Sequence, residues 1–466
     1  MSDEVAYTRL TLSVEEIVNL VVSLPASQRP IVLDSCQHRD FGLFKSRYLI
    51  AAFNPSIHFQ YFDQAARQDN SSRVEELDRV IASEKLFSDK NREIPRELWA
   101  FASGLLIGFL SYDLGREFEK LPSTARRVFS PPDIYFAFYK KLIVYDYYQK
   151  EALLFVRDGD ADVVLKEFKA EVELYRSGAL IKADVAKVNS RVDFTSNFNH
   201  SSYVSAVEKI KDYIRVGDIY QANLTQQLQI DLSSRSPEKI FLAIRTLFPV
   251  PFAAFIKTPD WSVVSASPEM FLSKKGLRVA TCPIKGTRRR GKDSDEDALL
   301  AKELLQSEKD LAENIMIVDL MRNDLGRVAQ VGSVDASQIL KLQSLPTLHH
   351  LVSKVECRLR QDVSLNQLLS ATFPCGSITG APKIRSMEII EEVEGVRRGL
   401  SMGAIGWLGC NGDLEMSVAI RTVFIEKGIG YFNVGGAVVA DSNPAQEYEE
   451  SMLKAEAVLR AIENSY

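Results

Sequence analysis

The sequence predicts an α+β protein with largely antiparallel sheets, and three observations carry that reading. Strand-like runs come in blocks, at residues 134–156 and again at 403–439. Helical patterns stand apart from them, at 203–214, 295–320 and 443–462. Strand and helix nowhere alternate as regularly as a parallel βαβ sheet requires.

The elements follow in order. Residues 9–24 read as a short helix and 30–35 as a buried strand ending in the polar turn Leu33-Asp34-Ser35. A second strand, 47–53, stops at Asn54-Pro55. Residues 64–98 are polar and helical in part, and 105–112 form an apolar run ending in Asp113-Leu114-Gly115-Arg116. Pro131-Pro132 breaks the chain before strands at 134–139 and 141–147, with a shorter one at 150–156. A polar stretch, 157–198, holds a helical segment and a linker-like run, which divides the chain into an N-terminal region, 1–190, and a second region, 191–466.

In the second region Tyr203, Val207, Ile210 and Ile214 recur at helical spacing, with Gly217 as a stop. Residues 217–225 enter a strand, 263–271 are a strand with a turn in it, and 276–281 are strand-like. A long helix is expected over 295–320, and another begins at Ser364. Three strands follow at 403–407, 416–426 and 430–439. The last helix starts with Asn443 as N-cap and Pro444 at the first helical position.

Composition excludes several classes. With 466 residues, 46% hydrophobic and 26% charged, the chain reads as an ordinary globular protein with a large core. A net charge of −5 argues against a general nucleic-acid binder. No apolar run is long enough for a membrane span, and residues 1–6 do not read as a signal peptide, so a cytoplasmic location is expected. The five cysteines show no CxxC spacing, which reads as reduced thiols without a zinc site or disulfide framework.

The chemistry centres on Pro283-Ile284-Lys285-Gly286-Thr287, followed by Arg288, Arg289, Arg290 and Gly291. Lys285 is expected where a strand ends, and Gly286 lets the backbone turn or come close to a ligand. Lysine is a nucleophile only when neutral, and its ordinary pKa near 10.4 leaves a deficit of roughly 4–5 kcal/mol at pH 7. Burial and nearby cations reduce that deficit, and the three arginines are candidates for the cations. The bland alternative is a surface lysine in a basic turn.

Asp310 and Glu313 share one face of the long helix, and Glu447, Glu450 and Lys454 share one face of the last. Two helices with a carboxylate pair each can clamp one hard cation. Magnesium fits such a site through oxygen ligands, few protein contacts, waters and a substrate carboxylate. The alternative is two solvated helix faces.

In Gly376-Ser377-Ile378-Thr379-Gly380-Ala381-Pro382-Lys383 two glycines flank two hydroxyls before Pro382 opens a helix whose free N–H groups suit a carboxylate. The P-loop spacing is absent. Gly435-Gly436-Ala437 offers further amides at a close approach. Arg421, read as mid-strand, can bind a carboxylate bidentately or serve as a structural ion pair. His350 is a candidate acid or base, or a hydrogen-bonded core histidine.

Four of these motifs, in this order, resemble the chorismate-utilising enzymes: the Lys285 segment, DLMRNDLG at 319–326, GSITGAPK at 376–383, and residues 435–450. That family includes anthranilate, isochorismate, salicylate and aminodeoxychorismate synthases. The resemblance covers about 195–466 strongly and reaches the N-terminal region through 104–122 and the Leu33-Asp34-Ser35 turn. Anthranilate synthases carry alanine where Lys285 stands. That lysine, with 220–224 and 108–122, makes the chain similar to the aminodeoxychorismate synthase component I branch.

The resemblance implies an α+β sandwich of two large, mostly antiparallel sheets with helices outside and the active site between them, the two regions forming one body. It implies that Lys285 attacks C2 of chorismate, that the C4 hydroxyl leaves with Glu269 as general acid, and that ammonia then adds at C4 and expels the lysine. The product would be 4-amino-4-deoxychorismate, on the route to p-aminobenzoate and folate. His350 matches the active-site histidine. Glu313 and Glu450 match magnesium ligands, with Asp310 and Glu447 in support. Arg421, Gly436 and Lys454 match positions that hold the substrate's carboxylates, Thr287 falls near the C4 oxygen, and Gly286, Ser377, Thr379 and Gly435 complete the expected substrate-binding set. Ser35, Arg47 and Tyr48 match a tryptophan pocket found in relatives.

The alternative enzyme is an anthranilate synthase component I, which adds ammonia at C2 and eliminates pyruvate. A different class is a non-catalytic chorismate or amino-acid sensor. No cysteine lies on a Gly-x-Cys-x-Gly elbow and no histidine is followed two residues later by glutamate, so a separate glutaminase subunit is expected to deliver the ammonia.

Overall fold

The computed structural model describes residues 5–37, 39–40, 43–62, 72–84, 94–157, 161–177, 192–345 and 348–465. Among these, two large sheets carry the fold. The first has twelve strands, in the order Val5–Leu10, Glu151–Arg157, Lys141–Asp146, Tyr48–Ala52, Ile31–Asp34, Phe252–Lys257, Trp261–Ser267, Thr422–Glu426, Ile429–Val438, Gln221–Asp231 and Phe194–Ser196, with Gly380–Ala381 pairing onto Gln221–Asp231. The second has ten, in the order Ile284–Arg289, Leu348–Arg358, Arg278–Cys282, Met270–Lys275, Leu414–Val418, Ala404–Gly409, Leu105–Leu110, Ile134–Tyr139 and Ile57–Tyr61, with Asp335–Ser344 also on Leu348–Arg358. The strand pairs in both are antiparallel, as the sequence predicts.

Both sheets contain strands from both halves of the chain, the N-terminal strands forming one contiguous block at one end of each. The expected boundary at 190/191 and the linker-like run before it lie at or within residues 178–191, outside the described residues.

Each sheet buries both faces, which explains the unbroken apolar runs Leu105–Leu110 and Ile134–Tyr139. Between the sheets, Trp261 packs its ring 4.7 Å from Tyr135, 5.4 Å from Phe109 and 5.6 Å from Phe424. Helices Val14–Ser23, Pro237–Leu247 and Pro444–Glu463 cover the outer face of the first sheet. Helices Arg73–Ser83, Glu308–Gly326 and Leu365–Thr372 cover that of the second. Each fully buried large apolar side chain contributes about 1.5–3 kcal/mol. None of the helices among the described residues is long and apolar enough to cross a membrane.

Four expectations need correction. Residues 5–10 are a strand, and the first helix starts only at Val14, where Ser13 and Glu16 form a reciprocal capping box. The helix over 295–320 is two helices, Ser294–Gln306 and Glu308–Gly326, because the Ser307 hydroxyl caps the second by accepting from the Asp310 amide. The strand over 416–426 is two strands, Leu414–Val418 in the second sheet and Thr422–Glu426 in the first. The strand with a turn at 263–271 likewise passes from Trp261–Ser267 in the first sheet to Met270–Lys275 in the second. These two sheet-to-sheet crossings lie side by side. The Val418 amide donates to the Glu269 carbonyl at 3.0 Å, and the Ala266 amide to the Arg421 carbonyl at 3.0 Å.

Candidate active site

Lys285 does not end a strand. It lies inside Ile284–Arg289, paired with Leu348–Arg358. Ile284 faces Val352 and Thr287 faces His350, so three steps on one strand meet two on the other. The extra residue is a β-bulge, which locally bends the strand and re-aims its side chains. Gly286 sits in it at φ +86°, and a Cβ there would stand 3.0 Å from Leu304 Cδ1 and 3.1 Å from Asp310 Cβ. Both the backbone conformation and the space call for glycine.

From the bulge the Lys285 Nζ donates to the Ser377 carbonyl at 2.9 Å. Burial lowers its pKa, the Glu313 and Glu269 carboxylates oppose, and the Lys454 ammonium adds to the lowering. The three arginines are not the cause. Arg288 pairs with Asp310 at 3.0 Å, Arg289 with Glu296, and Arg290 with Asp297 at 2.7 Å. Of the two causes expected from the sequence, burial acts most strongly, and the cation that helps is Lys454 rather than an arginine.

Glu269 stands on the first crossing, 4% exposed. Burial pushes its carboxyl up to about 7, while the Ser377 hydroxyl, Lys285 and the Ile284 backbone pull it back. Its Oε1 has no hydrogen-bond partner among the described residues. A carboxyl so placed keeps its proton near neutrality and has an atom free to deliver it.

His350 is buried, with Nδ1 2.9 Å from Thr287 Oγ1 and Nε2 without a partner among the described residues. Burial, with the Arg421 and His349 charges, lowers its pKa to about 3, against the Gly286 backbone. It is a neutral imidazole at pH 7, suited to hydrogen bonding rather than to carrying charge. Arg421 lies on the second crossing at φ +50°, not mid-strand. Burial lowers its pKa, and its guanidinium makes no hydrogen bond or ion pair among the described residues, which removes the structural ion-pair alternative. A half-buried guanidinium without a counter-ion is a ready receptor for a carboxylate.

The two acidic helices do meet. Lys309 Nζ lies 3.9 Å from Glu313 Oε1 on its own helix and 3.4 Å from Glu447 Oε1 on the last. Glu447 is 4% exposed and accepts from the Ser442 hydroxyl at 2.7 Å. Glu450 pairs with Lys454 at 2.7 Å, which holds its carboxyl below the usual range. Lys454 also donates to the Gly435 carbonyl at 3.1 Å. Burial raises the Glu313 carboxyl; Lys285 and Lys309 lower it, and the Asp310 and Glu447 charges raise it further. Asp310 itself is turned to Arg288. Gly436 keeps the space open: a Cβ there would lie 3.3 Å from Glu447 Oε2, 3.4 Å from Lys454 Nζ and 3.6 Å from Glu450 Oε1. Among the described residues no three acidic, histidine or cysteine side chains form a complete metal cage. The donors suit magnesium, which takes one or two carboxylates plus water and ligand oxygens.

A family model described as chorismate binding enzyme matches residues 29–460. The chain belongs to the chorismate-binding enzymes. It is 38% identical over 428 residues to aminodeoxychorismate synthase component 1 of Bacillus subtilis, covering 90% of each chain. It is also 38% identical over 397 residues to anthranilate synthase component 1 of Thermus thermophilus, covering 84% of each. The crystal structure of anthranilate synthase component I from Streptococcus pneumoniae TIGR4 matches with a TM-score of 0.77 at 28% identity, covering 89% of this chain and 92% of that one.

Other residues of this chorismate-binding enzyme fall in different places. Ser377 reaches the site through its carbonyl, which accepts from Lys285, and through its hydroxyl, which acts on Glu269. Thr379 is fully buried and turns its hydroxyl back to the Cys375 and Gly376 carbonyls, at 3.3 and 3.2 Å, within its own turn. Gly435 packs on the strand Gln221–Asp231, where a Cβ would collide with the Leu224 carbonyl. At the other end of the first sheet, the Ser35 amide donates to the Tyr48 carbonyl at 3.1 Å. Arg47 stacks 4.9 Å over the Tyr48 ring while its guanidinium grips Asp146 at 2.6 Å and Glu97 at 2.9 Å. Ser35, Arg47 and Tyr48 are thus neighbours.

One residue was missed. Gln221 is fully buried, and neither Oε1 nor Nε2 has a partner among the described residues. Ala222 and Leu224 pack among Tyr203, Ile389 and Ile390, which turns Gln221 and Asn223 to the opposite face of the strand. The signal was present in the sequence, where Gln221, Asn223, Thr225 and Gln227 recur at every second position of one strand.

Proposed function

We propose that this chain aminates chorismate at C4 to give 4-amino-4-deoxychorismate, on the route to p-aminobenzoate and folate, with ammonia supplied by a separate glutaminase subunit. The observation that carries the reading is Lys285, a desolvated amine on a bulge beside a buried carboxyl, Glu269, that titrates near 7. Lys285 in its neutral form attacks C2 of chorismate. Both ring double bonds shift, and the C4–O bond breaks as Glu269 gives its proton to the departing hydroxyl, which leaves as water. Ammonia then adds at C4, both double bonds shift back, the C2–N bond breaks, and Lys285 leaves as the free amine. Glu269 is reprotonated by the proton shed from the incoming nitrogen.

Arg421 and Lys454 hold the substrate's carboxylates, with the Gly435-Gly436 backbone at close approach. Thr287 and His350, joined at 2.9 Å, hydrogen-bond near the C4 oxygen. Glu313 and Glu450, supported by Glu447 and Asp310, would hold a magnesium ion. When bound, it supplies positive charge against a substrate carboxylate.

Relatives named for anthranilate formation match at similar identity, so identity does not choose between the two aminations. Lys285 favours C4, because it occupies the side of C2 that an incoming ammonia would need. Mass spectrometry after incubation with chorismate, Mg²⁺ and ammonium chloride tests this. The mass of 4-amino-4-deoxychorismate is expected; anthranilate with pyruvate would overturn the reading, and no turnover would favour a sensor.

A further inference from the structure

Lys309 joins the two acidic helices. Its ammonium lies 3.4 Å from Glu447 Oε1 and 3.9 Å from Glu313 Oε1, one carboxylate from each helix. These are carboxylates that the reading above gives to a divalent cation, and the inference rests on that reading.

The two lysines of the cluster are held differently. Lys454 bonds Glu450 at 2.7 Å and also the Gly435 carbonyl at 3.1 Å, so a backbone atom fixes it. Lys309 has carboxylates as its partners, at longer distances, and its side chain is 47% exposed. A flexible four-carbon stem with one side open to water can swing away without leaving a buried amine. Glu447, 4% exposed, is the member that most needs a cation beside it. The Ser442 hydroxyl supplies it one hydrogen bond but no charge.

An ammonium and a divalent ion cannot share these oxygens at contact distance without repelling each other. We propose that Lys309 is a built-in competitor for the divalent cation: its ammonium occupies the same carboxylate oxygens, and the cation binds as Lys309 swings out to solvent. Lys309 thereby serves as counter-ion for two facing acidic helices and sets the strength with which they take up metal.

The test is calorimetric titration of Mg²⁺ into the full-length chain after chelator treatment and dialysis, without chorismate and at low ionic strength. Wild type, Lys309→Met and Lys309→Arg are compared. Lys309→Met should bind Mg²⁺ tighter by up to about fivefold, the size expected for removing one partly exposed ion-pair competitor. Lys309→Arg, which keeps the charge, should bind like wild type. In chelator, Lys309→Met should melt below wild type, and Mg²⁺ should raise its melting temperature by more than it raises that of wild type. Mg²⁺ affinity in Lys309→Met equal to or weaker than wild type overturns the proposal, as does no Mg²⁺ binding by any of the chains. If Lys309→Met does not fold, Lys309→Gln gives the same comparison. Failure here is separable from failure of the C4 reading, which depends on which product forms and not on metal affinity in the absence of substrate.

Discussion

Lys285 Nζ donates to the Ser377 carbonyl oxygen at 2.9 Å. A carbonyl accepts from an ammonium or from a neutral amine, and in the second case the nitrogen lone pair stays free. The contact therefore aims Lys285 without consuming its nucleophilicity, and burial supplies the bias toward the neutral form.

Lys285→Ala should lose C4 amination by roughly 10³-fold or more, in the range seen when a nucleophile is deleted. Chromatography of the products with ammonium chloride as the nitrogen source measures it. An unchanged rate and product would exclude a covalent lysine route. Anthranilate from the variant would show that the same cleft admits ammonia at C2 once the side chain is gone.

Glu269 makes stability fall as pH rises. Its folded pKa is raised to about 7 from an ordinary 4.5, so the folded state binds the extra proton between those values. The contribution is complete below about pH 4.5 and is lost as pH climbs through about 7. Removing the carboxylate in Glu269→Gln should raise stability relative to wild type by about 3 kcal/mol more at pH 8 than at pH 4.5. Urea unfolding at the two pH values checks this; a pH-independent difference would mean that Glu269 is not desolvated as described.

Gln221→Met should raise stability by about 1 kcal/mol, because it replaces two buried unpartnered polar atoms with an apolar chain of similar size. Denaturant unfolding reads the change. A loss of more than 1 kcal/mol would mean that the amide is satisfied in solution. A gain in stability with a fall in turnover would mark an amide retained for a ligand.

The purified chain should form product with ammonium chloride but not with glutamine. The grounds are the missing Gly-x-Cys-x-Gly and His-x-Glu patterns in the 466 residues. Adding a glutaminase subunit should restore glutamine-dependent turnover. Glutamine-dependent product from the single chain, free of contaminating glutaminase, would contradict the expectation.

Much of the fold was legible because blocks of alternating or fully apolar residues specify antiparallel, buried strands whatever their partners. Sheet membership was not. Residues 416–426 keep an unbroken strand-like pattern, yet the chain changes sheets at Ala419 to Arg421, and a φ of +50° at an arginine leaves no mark in the sequence. The break at Ser307 was legible in principle, since a serine three residues before an aspartate is a cap signal. Within the site, residue types pointed to Lys285 and the acidic helices, and the family resemblance pointed to Glu269. Burial was rightly expected to lower the Lys285 pKa, but the arginines were not its cations, because a sequence does not disclose that Arg288, Arg289 and Arg290 already have carboxylate partners.

The bulge at Gly286 also fixes a parity. One surplus residue separates Ile284 from Thr287, so the side chains after it point to the faces opposite to those a regular strand would give them. Deleting Gly286 would restore even counting: Thr287 would stay opposite His350, while the strand would straighten and lose the bend that re-aims Lys285. That single-codon change would take the Lys285 amine from the Ser377 carbonyl while leaving composition, charge and hydropathy almost untouched. The cleft is in this sense written in the odd or even spacing of its strand as much as in the identity of its residues. Length changes of one residue here should be far more damaging than most substitutions.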